Sequence, residues 1–465
     1  MISSMLGTIP VSRPPQNHGA KHFADFLTLI AATYAFWLIV FWPGILGQDS
    51  LAIILEVLDP INRTSGKPSF WYWFVRLTYL GHERIEVPIA AMLALGALIQ
   101  ARILGWCWVQ GLKKTALFLL VFIALTPHFI FFIGSLYPDG IYSIAVVGLL
   151  FELWLIARNK RCDWSSLAMV ALTLPFAAFA RSNGVVFIAP ALIVAALLWR
   201  HHRKQGLYLG LVVLAWCIVM GLGNRAHPSR GHGAVYPLAI FETVNFLQPR
   251  PMKLWTATPR VSPKTVETLE KYHPVGVYLR SYDPDYWDTL VFPEDGPKVM
   301  SLNKADKKTI TREFFRYNLW RNVPKFVGSR VNIFLTACFA QGGLPSHTYS
   351  QHVLTIFQSK STYRPFGLDK AEALMFKMYD TSYMHRWLFW TPFLGLGLLA
   401  WALVTGTRRR NWPMLLIAAP MLVQLGGIVL FSIAGEYRYI LPFFALPLVL
   451  LPMYMLQIKT KSDTD

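Results

Sequence analysis

The sequence predicts an all-α polytopic membrane protein with about ten transmembrane helices. Hydrophobic residues make up 54% of the 465-residue chain and charged residues only 15%, whereas a soluble domain carries about 25% charged residues. Apolar runs also recur near the length of about 20 residues that a spanning helix needs. Composition and run length together exclude an ordinary soluble domain.

Ten apolar runs account for the predicted spans. A long polar and aromatic insertion separates the seventh run from the eighth. The runs cover residues 24–46, 87–108, 116–133, 141–156, 166–180, 185–199, 207–222, 388–404, 414–433 and 439–456.

Three regions follow from these runs. Residues 1–222 would form an N-terminal transmembrane core with catalytic outer loops, and residues 385–465 would form the C-terminal transmembrane helices. Residues 223–384 are too many for a linker. They predict a small α-rich loop domain on the outer, periplasmic face, with a helical stretch near KKTITREFFRYNLWRNVPKF.

The net charge of +19 is explained by membrane orientation. When the spans are threaded from a cytoplasmic N-terminus, the short cationic loops fall on one side, such as Lys113–Lys114 and Arg408–Arg410. Cytoplasmic loops of membrane proteins carry such an excess of Lys and Arg. The charge therefore predicts contact with membrane lipids, not with nucleic acid, and places both termini in the cytoplasm.

Isolated polar residues gather at the opposite, outer boundary. Asp49 follows the first span in PGILGQDS, Asp139 follows the third in YPDG, and Arg181 follows the fifth in RSNG. Arg438 and Tyr439 precede the last span in GEYRYILP. Charges near hydrocarbon are costly and usually mark function, so these residues predict a site on that side.

A lipid-linked phosphate substrate fits this set of side chains. Guanidinium groups bind phosphate oxygens through paired hydrogen bonds, and a carboxylate can take a proton from an attacking hydroxyl. Phosphate is already a competent leaving group. One base and a group of cations would therefore suffice, because the cations stabilise the charge that develops on the departing phosphate.

The order PGxxxxDS, YPDG, RSNG and GEYRYILP resembles the GT-C class of membrane glycosyltransferases. The resemblance implies a GT-C-like fold and a sugar donor linked to polyprenyl phosphate, with a surface glycan, lipid or protein as acceptor. It implies that Asp49 is a catalytic base or shares a divalent cation, Mg²⁺ or Mn²⁺, with a second acidic residue, Asp139. It assigns phosphate binding to Arg181, Arg438 and Tyr439 and places the enzyme in a bacterial inner membrane.

One position departs from the GT-C pattern. Many relatives have a His-Pro dipeptide after the first outer loop, and this chain has Lys67-Pro68 in GKPSFWYW. An ammonium group cannot replace a neutral imidazole, but it can hold a phosphate as a point charge. Lys67 is therefore predicted to bind phosphate.

Each candidate residue also has a structural interpretation. Asp49 could cap the helix LAIILEVL, and Asp139 could cap the fourth span, because Asp satisfies free N–H groups at helix starts. Arg181 and Arg438 could extend to the lipid headgroups. Glu436 could do no more than pair with Arg438.

Two other functions compete with glycosyl transfer. A lipid or solute transporter would place its charges near mid-membrane, commonly on broken helices. An O-antigen polymerase or ligase would have a similar number of spans and would place key arginines in the large loop. Dependence of activity on Asp49 or on the arginines of residues 223–384 separates these enzymes.

A further pair of charges falls in the inner halves of two spans. Arg102 lies in the second span and Glu152 in the fourth. An ion pair between helices would remove two costly charges from the apolar interior, so the two side chains are predicted to meet.

Overall fold

The computed structural model describes residues 16–228, 233–249, 261–345, 349–357 and 359–462. The secondary structure in these ranges is helical, and they contain no strand beyond one isolated bridge between Ile45 and Ser135. This confirms the predicted all-α class. The chain ends predicted to be cytoplasmic lie partly outside the described residues.

Eight helical segments of the described chain are long and apolar enough to cross a membrane. They coincide with eight of the ten predicted spans, as a polytopic membrane protein requires. The segments are Gly19–Val40, Glu86–Val109, Pro138–Asn159, Ser182–His201, Arg203–Ala226, Arg386–Arg408, Trp412–Phe431 and Tyr437–Lys459.

The other two predicted spans are irregular. The third is a pair of helical segments, Lys113–Ala124 and Pro127–Ile133, that meet at 62°. The helix breaks before Pro127 because proline has no N–H to continue the ladder. The fifth is the helix Trp164–Phe179, with 16 residues, which is short for a span. The count of ten spans therefore stays a prediction.

The N-terminal part of the chain forms the helices that surround one buried core. In order they are α1 (Gln16–Val40), α2 (Gln48–Leu58), α3 (Ser69–Tyr79), α4 (Glu86–Val109), α5 (Lys113–Leu119), α6 (Pro127–Ile133), α7 (Pro138–Asn159), α8 (Trp164–Phe179), α9 (Ile188–His201) and α10 (Arg203–Ala226).

Helix α7 is the central helix of this part. It packs against α4, α6, α8 and α9, and nearly all of its residues from Pro138 to Ile156 are buried. At its start, a Cβ on Gly140 would lie 2.3 Å from the Phe132 carbonyl oxygen. Only glycine permits this approach, which seats the first turn of α7, with Asp139, against α6.

The long insertion is helical and has a core of its own. Its helices are α11 (Val235–Leu247), α12 (Pro263–Glu270), α13 (Val275–Arg280), α14 (Lys304–Glu313), α15 (Leu319–Arg321), α16 (Val323–Cys338), α17 (Tyr349–Phe357) and α18 (Asp369–Met384). Helices α14 to α16 cover the stretch predicted to be helical.

The second core is formed by residues between Tyr236 and Ile333. Residues that follow Ile333 in the insertion belong to the main core instead, among them Cys338, Val353 and Tyr379. The C-terminal half of the insertion therefore packs on the transmembrane helices, while the N-terminal half forms the separate core. The exact domain boundaries at residues 223 and 384 stay predictions.

The C-terminal helices complete the main core. They are α19 (Arg386–Phe389), α20 (Phe393–Arg408), α21 (Trp412–Phe431), α22 (Leu441–Ala445) and α23 (Pro447–Ser462). Helices α21, α22 and α23 all pack on α7, which places the start of the last span beside the start of α7.

The predicted ion pair in the inner halves of the spans is present. Arg102 Nε on α4 lies 2.8 Å from Glu152 Oε1 on α7. The Glu152 side chain is fully buried and Arg102 is partly exposed. The pair gives a partner to a carboxylate that would otherwise be an isolated charge at the helix interface, as the sequence predicts.

Candidate functional site

The loop before α2 pairs with the loop before α7. The Ile45 N–H donates to the Gly134 carbonyl at 3.1 Å, and the Leu136 N–H donates to the Ile45 carbonyl at 3.1 Å. This short bridge places the first turns of the two helices side by side. Asp49 and Asp139 lie on those turns, so this one bridge positions both residues.

Ser50 explains why a serine follows Asp49. Its hydroxyl donates to the Leu136 carbonyl and accepts the Gly47 N–H, each at 3.1 Å. It therefore ties the start of α2 to the loop before α7. Ser50 is fully buried, so its role is to fix the backbone that carries Asp49.

A second serine fastens the same loop from the insertion. Ser350 on α17 donates to the Gly44 carbonyl at 3.0 Å and accepts the Leu46 N–H at 3.1 Å. The loop PGILGQDS is thus held from two sides. These bonds satisfy backbone groups of the buried loop, which would be costly to leave without partners.

Asp49 is held by two cations. Helix α2 begins at Gln48 with Gly47 as its N-cap, so Asp49 lies in the first turn and not at the cap. Its Oδ2 is 2.6 Å from Lys67 Nζ, and Arg438 Nη1 contacts the same oxygen. The three side chains are partly exposed, so the cluster is reachable from outside the protein.

Arg438 is bound along both edges of its guanidinium group. Its Nε donates to Glu436, while Nη1 faces Asp49. The rings of Tyr137 and Tyr439 each lie with their centroids 5.5 Å from its Cζ. The predicted pairing with Glu436 is therefore present, but it accounts for only one edge of the side chain.

Asp139 and Arg181 form the second ion pair of the site. The Asp139 side chain is only 1% exposed and contacts Arg181 Nη1, whose side chain is 22% exposed. Asp139 is the second residue of α7, after Pro138 and the N-cap Tyr137. The pair thus puts a buried carboxylate beneath a guanidinium group that reaches the surface.

Tyr439 joins the two ion pairs. Its ring centroid lies 5.0 Å from Arg181 Cζ and 5.5 Å from Arg438 Cζ, so it contacts both cations through its π face. The six residues predicted from sequence therefore belong to one connected site, formed by segments from Asp49 to Tyr439. They are Asp49, Lys67, Asp139, Arg181, Arg438 and Tyr439.

The electrostatics of Asp49 result from opposing effects. Burial disfavours its ionised form, but the charges of Lys67 and Arg438 outweigh burial and hold the pKa of Asp49 well below its ordinary value. Burial lowers the pKa of Lys67; Asp49 opposes this change and Arg438 adds to it. In this arrangement the two cations favour the ionised form of Asp49 and make it a weaker base than an isolated carboxylate.

Sequence reasoning missed Tyr137. A Cβ on Gly47 would lie 1.9 Å from the Tyr137 hydroxyl, so glycine is needed there to admit the ring beside the start of α2. Burial raises the pKa of Tyr137, and the Asp49 charge raises it further. The neutral Tyr137 hydroxyl therefore lies at the start of α2 beside Asp49, and Tyr137 is the first residue of the YPDG motif.

Sequence reasoning also missed the support of Lys67. Glu56 accepts the Ser65 N–H at 2.9 Å and the Ser65 hydroxyl, and Ser65 Oγ accepts the Lys67 N–H at 3.2 Å. His227 Nε2 lies 2.8 Å from the other Glu56 oxygen. These bonds fix the backbone of Lys67, and the sequence gives no signal of them, because Ser65 and Glu56 are ordinary polar residues nine positions apart.

The carboxylates of the site do not form a metal centre of their own. Among the described ranges, no group of three or more His, Cys, Asp or Glu side chains is placed to hold a metal ion. Asp49 faces Lys67 and Arg438, and Asp139 faces Arg181. These residues as arranged do not fit a shared Mg²⁺ or Mn²⁺, so the divalent-cation requirement stays a prediction and carries no step below.

The fold and site define a helical membrane protein with a cluster of paired charges at one end of its helices. Comparison of the chain with protein-family models, with curated proteins and with solved structures finds no match. The function must therefore be inferred from the geometry of the cluster.

Proposed function

We propose that this protein is a GT-C-like membrane glycosyltransferase that moves a sugar from a polyprenyl-phosphate carrier to a glycan, lipid or protein acceptor. The observation that carries the proposal is the convergence of one partly exposed carboxylate, Asp49, with three cations. Lys67 and Arg438 contact Asp49 directly, and Arg181 joins them through Tyr439. A base beside phosphate-binding groups is what this transfer needs.

The chemistry assigns a role to each group. The acceptor hydroxyl attacks the anomeric carbon, and Asp49 takes its proton. The bond from the anomeric carbon to the phosphate oxygen breaks, and its electron pair leaves with the phosphate. The phosphate oxygens are bound by Arg181 and Arg438, whose planar guanidinium groups match their geometry. Lys67 binds them as a point charge.

Asp139 acts through Arg181 in this proposal. With 1% of its side chain exposed, it holds the guanidinium group in place from below. Direct contact of Asp139 with substrate or metal stays a prediction.

The contacts of Arg181 and Arg438 with Asp139, Asp49 and Glu436 favour this function over a polymerase or ligase centred on the large loop. Arg330, in the separate core of the insertion, is buried and paired with Glu242, so its charge serves packing. The transporter alternative would place charges at mid-membrane, whereas Asp49, Arg181 and Arg438 lie at helix ends.

The proposed location is a bacterial inner membrane, with the site periplasmic and both termini cytoplasmic. Cysteines introduced at Arg63 and Pro293 should react with an impermeant thiol reagent added to intact spheroplasts, whereas a cysteine at Thr407 should react only after lysis. All three positions are exposed, so reactivity reports the side of the membrane. Labelling is compared with the parent protein, and reaction at Thr407 alone would reverse the orientation.

Replacing Arg181 or Arg438 by Lys should weaken donor binding while the protein still inserts. Lysine keeps the charge but cannot bond two oxygens with one planar group. Arg438 would lose one of its contacts with Asp49 and Glu436. We expect KM for a lipid-phosphate sugar to rise about tenfold, as for the loss of one charged hydrogen bond.

Arg102→Lys is the matched control for these variants. Arg102 also pairs with a buried carboxylate, Glu152, but belongs to the inner halves of the spans. Its KM should stay at the parent value. Parent-like KM in both Arg181→Lys and Arg438→Lys would mean that these arginines only anchor the protein in the interface.

A further inference from the structure

Two cations of the site share a single oxygen. Lys67 Nζ and Arg438 Nη1 both contact Oδ2 of Asp49. In the protein without substrate, the charges predicted to bind phosphate are therefore committed to the predicted base. Phosphate and Asp49 would compete for them.

The charges of the site are balanced. Lys67, Arg181 and Arg438 carry three positive charges, and the carboxylates that contact them, Asp49, Asp139 and Glu436, carry three negative charges. An entering phosphate therefore meets no net attraction from this set unless one carboxylate gives up its partners. Among the ion pairs of the described residues, Asp49 is the carboxylate of this set that two of the cations contact.

The anchoring of both cations leaves their tips able to change partner. Glu436 holds Arg438 at Nε, which leaves Nη1 facing Asp49. Ser65 holds the backbone of Lys67. The Lys67 amine lies at the end of a flexible side chain. Each cation can thus turn from Asp49 to a neighbouring anion without losing its support.

The reaction moves charge in the matching direction. A phosphodiester carrier has one negative charge, and the phosphate monoester that leaves gains a second when the bond to the anomeric carbon breaks. Meanwhile the acceptor proton passes to Asp49 and neutralises it. Negative charge is therefore lost at Asp49 as it is gained at the phosphate.

We propose that Lys67 and Arg438 pass from Asp49 to the leaving phosphate as Asp49 takes the acceptor proton. This inference rests on the proposed function and adds that base and leaving group use the same cations in turn. This transfer also moves away from Asp49 the two charges that hold its pKa low. Other titratable groups that interact electrostatically with Asp49 or its partners are Tyr137, Arg181, Glu436, Tyr439 and Asp288.

The test is binding of a product-like phosphate in the absence of acceptor. Farnesyl phosphate would be titrated into purified protein by calorimetry, with farnesol as the control for the lipid chain and inorganic phosphate as the control for a free anion. Asp49→Asn should bind farnesyl phosphate about tenfold more tightly than the parent, because the carboxylate that competes for Lys67 and Arg438 is absent. A tenfold change in affinity corresponds to about 1.4 kcal/mol. Farnesol binding should not change.

Two variants make the result specific to the shared cations. Lys67→Met added to Asp49→Asn should remove most of the gain, because one of the released cations is then absent. Glu436→Gln, which removes a carboxylate that contacts Arg438 but not Lys67 in the bonds described, should give a smaller gain than Asp49→Asn. Asp49→Ser repeats the measurement if the Asn variant unfolds.

Equal or weaker binding of farnesyl phosphate by both Asp49→Asn and Asp49→Ser would overturn the exchange of cations. An equal gain in the presence of Lys67→Met would overturn it too. Neither outcome depends on sugar transfer, so failure of this inference is distinguishable from failure of the proposed function. A gain seen with inorganic phosphate alone would assign the site to a free anion and would also contradict the inference.

Discussion

Replacing Asp49 by Asn is expected to reduce sugar transfer by about 10²-fold or more, the contribution typical of a general base. The change keeps the shape of the side chain and removes the proton acceptor. Helix α2 should still form, because its N-cap is Gly47 and its first turn is tied by Ser50. The measurement is transfer by purified protein from a defined lipid-phosphate sugar.

Asp59→Asn is the matched control for this prediction. Asp59 lies at the other end of the same helix, as its C-cap, and its carboxylate accepts bonds from Asn62. Its substitution should leave transfer within about twofold, the range of surface changes that cost under about 0.5 kcal/mol. Full transfer by Asp49→Asn would reject the glycosyltransferase mechanism, and Asp49 would then serve only the start of α2.

Replacing Arg330 by Met is expected to destabilise the separate core of the insertion by about 3–5 kcal/mol, the cost of breaking a buried ion pair. Arg330 is 3% exposed and contacts Glu242, which is fully buried. It also donates to the Ser432 carbonyl at the end of α21. Its loss leaves an unpaired carboxylate and removes one attachment of the insertion to the transmembrane helices.

Hydrogen exchange of the α11 and α16 amides would measure this change. Exchange should rise in both helices of Arg330→Met. The double variant Arg330→Met with Glu242→Leu should recover most of the protection, because it leaves no buried charge. Lys271→Met is the control, since Lys271 pairs with Asp306 but is 60% exposed and such pairs are worth about 0–1 kcal/mol. Unchanged exchange in Arg330→Met would show that the pair contributes no stability.

Much of the fold could be predicted because its signals are local. Each long span corresponds to one continuous apolar run in the sequence. The ion pair of Arg102 and Glu152 could be predicted because a single charge in such a run is costly. The bend before Pro127 was missed, although proline is visible, because the run on both sides remains apolar. Hydrophobicity alone does not distinguish a straight span from a bent one.

The members of the site could also be predicted, but not their partners. Asp49, Asp139, Arg181 and Arg438 are conspicuous as charges at the ends of apolar runs. That Asp49 meets Arg438, 389 positions away, depends on how α7 and the last span pack. Tyr137 and Glu56 gave no such signal, because a tyrosine and a glutamate beside a span are ordinary residues.

The placement of Tyr439 between two guanidinium groups has an energetic consequence. In the folded chain, two like charges, Arg181 and Arg438, both contact the Tyr439 ring in the absence of a bound anion. Their mutual repulsion is balanced by interactions formed during folding, with Asp139, Asp49 and Glu436. The two arginines are therefore already side by side when a phosphate arrives, and only the partners of their tips have to change on binding.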